Sequence, residues 1–327
     1  MIAPPPMPCR MRNTTSDGRL HARPHSALAI GMASLQYVLE EGNREGWTES
    51  TLIMVLGGVA AIALITFIVH ELETPNPVVD LRVFKNRSYS AGTGLNFLLG
   101  LAVFGASYLF SLYCGAVMHY QALDIGRIFL LAGISQIFLM PVIGKLANRV
   151  DARYMLVFGV TMTTISQWYA GHLTGEAAFF DLVFPNMLRS LGLVFIFIPV
   201  SVAALSDLPI AQRGNATGLF NLTRELGGSL GTAWMGKVVA DGIATHSARL
   251  SEHISMYDPA TQEQWSSLMR RGMDPAATLM GRVTRESMVL SFEDGFGITM
   301  TAIALGIFMV MLLRRPHAAQ GIPADAH

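Results

Sequence analysis

Arg224 and Glu225 stand side by side in the stretch GNATGLFNLTRELGGSLGTAWMGK, Gly214 to Lys237, which carries no other charge before its final lysine. A carboxylate at such a place can take up and release a proton, and an arginine beside it shifts its pKa. An ionisable group at bilayer depth is costly enough to mark a functional site. The alternative is that the two side chains only satisfy each other or nearby carbonyls. Asn221, one turn earlier, joins them as a polar candidate. Arg189, in MLRSLGLVFIFIPVS, lies well inside a second apolar run. It is either a further buried charge or an arginine whose long side chain reaches back to an interface.

Chemistry of the enzymatic kind has no foothold. There is no GxxxxGK[ST] phosphate loop, no HExxH and no nucleophile elbow, and the nine histidines have no ligand spacing. No cofactor and no metal is expected. Cys9 sits in a polar leader and Cys114 in an apolar run, which makes a disulfide framework improbable. Asp124 and Arg127, three apart, read as a surface ion pair. Gln167, Trp168, Tyr169 and His172 could line a cavity, although aromatic residues at a helix end are more often packing or interface anchors.

The elements that must hold these residues follow from composition. Hydrophobic residues make up 51% of the 327 and charged residues 14%, with zero formal net charge. A soluble domain carries nearer a quarter charged residues, so the chain reads as an all-α polytopic membrane protein, and nothing favours nucleic-acid binding. Residues 1–26, rich in Pro, Arg, His and Ser, read as a disordered leader. The uncharged run 27–39 is too short to span and reads as a clipped membrane helix rather than a signal-peptide core.

Full spans are expected at 52–69, 89–113, 125–147 (bent at Pro141), 154–173, 179–206, 214–239 and 296–313. Gly214 and Gly218, then Gly227 and Gly231, each stand four apart, the spacing that lets membrane helices approach closely. Placing the N-terminus inside puts Arg82, Lys85, Arg87, Lys145, Arg149, Arg153, Arg213, Arg314 and Arg315 on the cytoplasmic side. The stretch 241–294 is then outside. Within it Asp258-Pro259 and Asp274-Pro275 read as cap plus first-turn proline, each opening a short helix of an external subdomain.

Three separated motifs carry a family likeness: SLQYVLEEGNREGW at 34–47, PNPVVDLRVFKNRSY at 75–89 and GNATGLFNLTRELGGSLGTA at 214–233. In this order they resemble the fourteen-helix drug:proton antiporters of the major facilitator superfamily, the EmrB/QacA type. The likeness covers about residues 27–315 and corresponds to the family's second half. It implies a partial helix seven and helix eight over 27–73, a six-helix C-terminal bundle over 74–315 and a cytoplasmic tail over 316–327. GKLANRVDAR resembles the superfamily's cytoplasmic loop signature, with Gly144, Asn148, Arg149, Asp151 and Arg153 at the motif positions. Asn148 stands where the better-known first-half copy has an acid, and a plain positive-inside loop is the alternative. The run around Arg189 resembles the family's arginine-glycine pattern, with Ser190 replacing the glycine.

What the resemblance implies is proton-coupled export of amphipathic drugs across the inner membrane of a bacterium, by alternating access between two bundles. Arg224, Glu225, Arg189 and Asn221 would be the transport and coupling residues. Protons, drug and lipid are the implied partners, with a periplasmic adaptor (membrane fusion protein) and an outer-membrane channel beyond them. The opposing expectation is a transport-inactive half-transporter or gene fragment.

Overall fold

A computed structural model describes residues 17–312 apart from 43, 75–80, 148 and 253–258. The described residues form helices: α1 (Asp17–Glu41), α2 (Thr51–Glu73), α3 (Arg87–Ala116), α4 (Ala122–Leu146), α5 (Ala152–Gly171), α6 (Phe179–Ser206), α7 (Ile210–Glu252), α8 (Pro259–Arg270) and α9 (Pro275–Leu312). The reading of 1–26 as disordered is corrected from Asp17 onward. Once the segment after Ala27 is anchored by packing, adding turns to its front costs little compared with nucleating a helix. Residues 1–16, the tail 316–327, Asn148 and the Asp258 cap lie outside the described residues.

α1 and α2 form a hairpin, with Gly31 against the side chain of Leu64. Its turn explains the motif EEGNREGW. Gly46 has φ +71°, a conformation that glycine enters without strain, and the Trp47 ring lies where a Cβ on Gly42 would sit. The segment KNRSY is explained by capping: the Asn86 side chain accepts from the backbone N–H of Ser88 at 2.9 Å and of Tyr89 at 3.3 Å, closing the open end of α3.

In the bundle, α3 packs on α7 and α9, α6 packs on α4 and α5, and α3 and α6 touch at the centre. Among the described residues five helices are long and apolar enough to cross a membrane: α2, α3, α4, α6 and α9. α5 and α7, also expected as spans, fall short by composition because much of their surface meets protein. α5 spends its polar side chains on neighbours: Ser166 Oγ donates to Pro185 O at 2.6 Å and Gln167 Nε2 to Thr299 Oγ1 at 2.8 Å.

The stretch 241–294 needs a larger correction. α7 runs 43 residues and α9 38, so both continue straight through most of it. Asp274 does cap a helix, accepting from Ala276 N at 3.0 Å, but that helix is α9 itself rather than a short one. The polar ends continue because each leans on the other, tied by His246 Nε2 and Asp294 Oδ2 at 2.8 Å. Among the described residues of this stretch only α8 is a short helix, and it packs on α9.

Candidate functional site

α7 is held to α3 by backbone contact. A Cβ placed on Gly227 would overlap the carbonyl of Phe97, one on Gly231 the carbonyl of Leu101, and one on Gly100 the carbonyl of Arg224. These three glycines bring the two helices as close as membrane helices come. Gly214 and Gly218, expected to do the same, have nothing within 4 Å of a Cβ. Four-residue spacing places glycines on one face but does not say which face.

Side chains of α3 complete the seam. Tyr89 Oη donates to Ala216 O at 2.8 Å, and the fully buried Asn96 donates through Nδ2 to Phe220 O at 2.7 Å. Neither residue was singled out in the sequence. An asparagine in the middle of an apolar span was the available signal.

With one side of α7 fixed on α3, the other side is defined. Gly214, Gly218, Asn221 and Glu225 recur at intervals of four, three and four and look away from the bundle. Arg224 Nη2 and Glu225 Oε1 are 3.4 Å apart, and their side chains are 29% and 44% exposed. The Arg224 guanidinium also lies 5.2 Å from the centre of the Phe197 ring of α6, within cation–π range. Its Nε is buried without a partner.

This face has the wrong chemistry for lipid. The outward faces of α2 and α4 carry Ile62, Ile65, Ile137 and Phe138, as a lipid surface should. That of α7 carries glycine, asparagine and a carboxylate, which hydrocarbon cannot satisfy. It suits water or another polar protein surface.

Arg189 is separate from this pair. It is 5% exposed, and its guanidinium donates to Ser107 Oγ of α3 at 2.8 Å and to Asn186 Oδ1 at 2.5 Å. It does not reach an interface. Along α6 it lies eight residues from Phe197, about 12 Å at helical rise. The structure therefore brings Arg224 and Glu225 together with Asn221 nearby on the same face, and leaves Arg189 in a closed polar pocket between α3 and α6.

The loop motif divides as well. Asp151 Oδ1 accepts from Arg153 N at 3.1 Å and so caps α5. Arg149 and Lys145 line a cleft with Val142 and Leu146, and Gly144 meets nothing within 4 Å of a Cβ. Asp124 and Arg127 form the expected exposed ion pair at 3.0 Å.

Comparison with known proteins agrees with this architecture. The chain is 29% identical to the multidrug export protein EmrB of Haemophilus influenzae over 293 residues, 88% of this chain and 57% of the relative. It is 29% identical to the multidrug export protein EmrB of Escherichia coli K12 over 322 residues, 96% of this chain and 62% of the relative. A colistin resistance protein EmrB of Acinetobacter baumannii is 26% identical over 290 residues, 88% of this chain and 57% of the relative. The chain thus spans about three fifths of the length of the curated relatives it matches. The family pattern of the Major Facilitator Superfamily matches residues 27–232, more than half of the sequence. With its apolar helices of spanning length around a packed centre, the chain is a multi-pass membrane protein and belongs to the Major Facilitator Superfamily.

Proposed function

We propose that the chain acts in the export of amphipathic drugs, exchanged for protons across the bacterial inner membrane, as the C-terminal bundle of a transporter whose other bundle faces α7. The observation that supports this reading is the polar, open face of α7, which carries Asn221 and Glu225 with Arg224 beside them. Glu225 is the proton-exchanging group, Arg224 keeps it in place from the Phe197 side, and Asn221 offers a hydrogen bond to substrate. Arg189 acts from inside the bundle by fixing α6 to α3. The relatives named multidrug export proteins support the substrate class.

The second reading, a transport-inactive half, draws on the same open face. One bundle supplies one wall of a midplane site, and rocking requires a second body. Both readings meet in one experiment. Residues 1–327 expressed in a drug-hypersensitive, efflux-deficient host are expected to give no resistance. A version extended upstream by a six-helix half gives resistance and pH-dependent dye efflux, which Glu225→Gln reduces at least tenfold. Equal resistance from the unextended chain would remove the need for a second bundle. Full efflux in Glu225→Gln would remove this carboxylate from coupling.

In the proposed orientation the termini are cytoplasmic, and α8 with the ends of α7 and α9 stands outside, where a periplasmic adaptor leading to an outer-membrane channel would dock. Gln264 on α8 is exposed, whereas Thr261 is buried and would report poorly. A cysteine at Gln264 is expected to react with a membrane-impermeant maleimide in intact cells stripped of outer membrane. Reaction only after lysis would invert the topology.

A further inference from the structure

Between the end of α5 and the start of α6 lies a cleft of about 410 Å³, within the usual size of small-molecule sites. Its walls include Trp168, Tyr169 and His172 from α5, Glu176 from the connecting turn and Asp181 from α6. It lies on the α5–α6 side of the bundle, away from the α7 face, at the end of a span where the headgroups of amphiphiles reside.

The cleft is built rather than incidental. The turn that closes it is fixed from two other helices: Tyr113 Oη of α3 donates to Thr174 O at 2.8 Å, and Arg285 Nη2 of α9 donates to Gly175 O at 2.6 Å. The aromatic wall is ordered too. His172 Nδ1 is 2.7 Å from Trp168 O, with the two ring centres 4.6 Å apart, and Tyr169 meets Phe184 edge-on at 5.4 Å.

Its charges are unevenly matched. Asp181 Oδ2 accepts from Ala178 N at 2.9 Å, but among the described residues neither Asp181 nor Glu176 has an ion-pair partner within 4 Å. Two carboxylates therefore line the cleft, beside the turn that Arg285 holds. Exposed indole and phenol rings attract a cation through their faces, and the nearby carboxylates supply the counter-charge. Phe180 and Phe184, both exposed, continue the apolar surface past the cleft.

We propose that this cleft binds the ammonium head of an amphiphile, with Trp168 and Tyr169 against the cation, Glu176 and Asp181 opposing its charge, and the alkyl tail lying along Phe180 and Phe184. The site stands apart from proton-coupled export, and its test reads binding alone. The same ammonium chemistry comes from a free alkylammonium compound or from a phosphatidylethanolamine headgroup.

The full chain is placed in nanodiscs of a galactolipid, which carries neither net charge nor ammonium. Binding of radiolabelled dodecyltrimethylammonium is compared with that of dodecyl sulfate, with empty discs subtracted. Saturable binding is expected for the ammonium compound only. Trp168→Leu should weaken it about two- to fivefold, the range of an exposed cation–π contact, and Glu176→Gln several-fold. Both positions are exposed, so neither change threatens the fold. Phosphatidylethanolamine added to the discs competes if the lipid is the natural occupant and leaves binding unchanged if the free amphiphile is. Equal binding of the ammonium and sulfate compounds, or wild-type affinity in both variants, would overturn the proposal.

Discussion

Replacing Gly227 or Gly231 by leucine prevents α7 from seating on α3 and leaves little folded protein in mild detergent. A Cβ alone already overlaps backbone carbonyls at both sites, and backbone cannot swing aside as a side-chain tip does. Overpacking a well-filled core costs about 1–3 kcal/mol where side chains absorb it; here the strain falls on two helices, and about 3 kcal/mol or more is expected. Gly214→Ala and Gly218→Ala supply the contrast. Their Cβ atoms enter open space, and alanine in a helix interior gains about 0.5–1 kcal/mol over glycine. Thermal denaturation followed by fluorescence-detected size exclusion separates the two pairs. A Gly231→Leu protein that elutes and melts like wild type would refute the close seam.

The second large effect concerns Arg189, whose hydrogen-bond partners Ser107 and Asn186 are both neutral. A buried cation held only by neutral groups depends on each of them. Asn186→Leu removes the acceptor and is expected to cost about 3 kcal/mol, in the range for breaking a buried charged contact. Adding Arg189→Met to that variant removes the cation as well. The double variant should regain wild-type stability or exceed it, as buried ionic groups replaced by apolar side chains of similar volume often do. Denaturation in mixed detergent micelles of wild type, Asn186→Leu, Arg189→Met alone and the double variant gives the coupling. A double variant no more stable than Asn186→Leu would show that the guanidinium is not the group under strain.

How far the sequence anticipated this molecule depended on what each residue type encodes. α6 was legible end to end because an apolar run is bounded by polar turns on both sides, and its expected range, 179–206, matches Phe179–Ser206. α7 and α9 were cut short because hydropathy marks where a helix leaves lipid, not where it ends. Their polar continuations are stabilised by each other, through contacts such as His246 with Asp294, which no local window contains. The Arg224–Glu225 pair was visible as a charge pair in an apolar stretch, and adjacency alone brings the two side chains within reach. Which way each of them points from α7 was not visible. That was decided by Gly100 and Asn96 on α3, more than a hundred residues away in the chain. Likewise Gln167 and Trp168 are neighbours in sequence but turn opposite ways, one into the core toward Thr299 and the other onto the cleft.

The length of α7 has a mechanical consequence. A helix of 43 residues is about 65 Å long, so roughly 35 Å of it exceeds a hydrocarbon layer about 30 Å thick. It is braced along that length by α9, which stiffens it against bending. Such a pair is a lever with its fulcrum in the membrane. A rotation of about 10° at the level of Glu225 would carry the far end, about 40 Å away, sideways by about 7 Å at the same helical rise. Movement too slight to register at the charged pair would arrive at the tip as a displacement the size of a side chain.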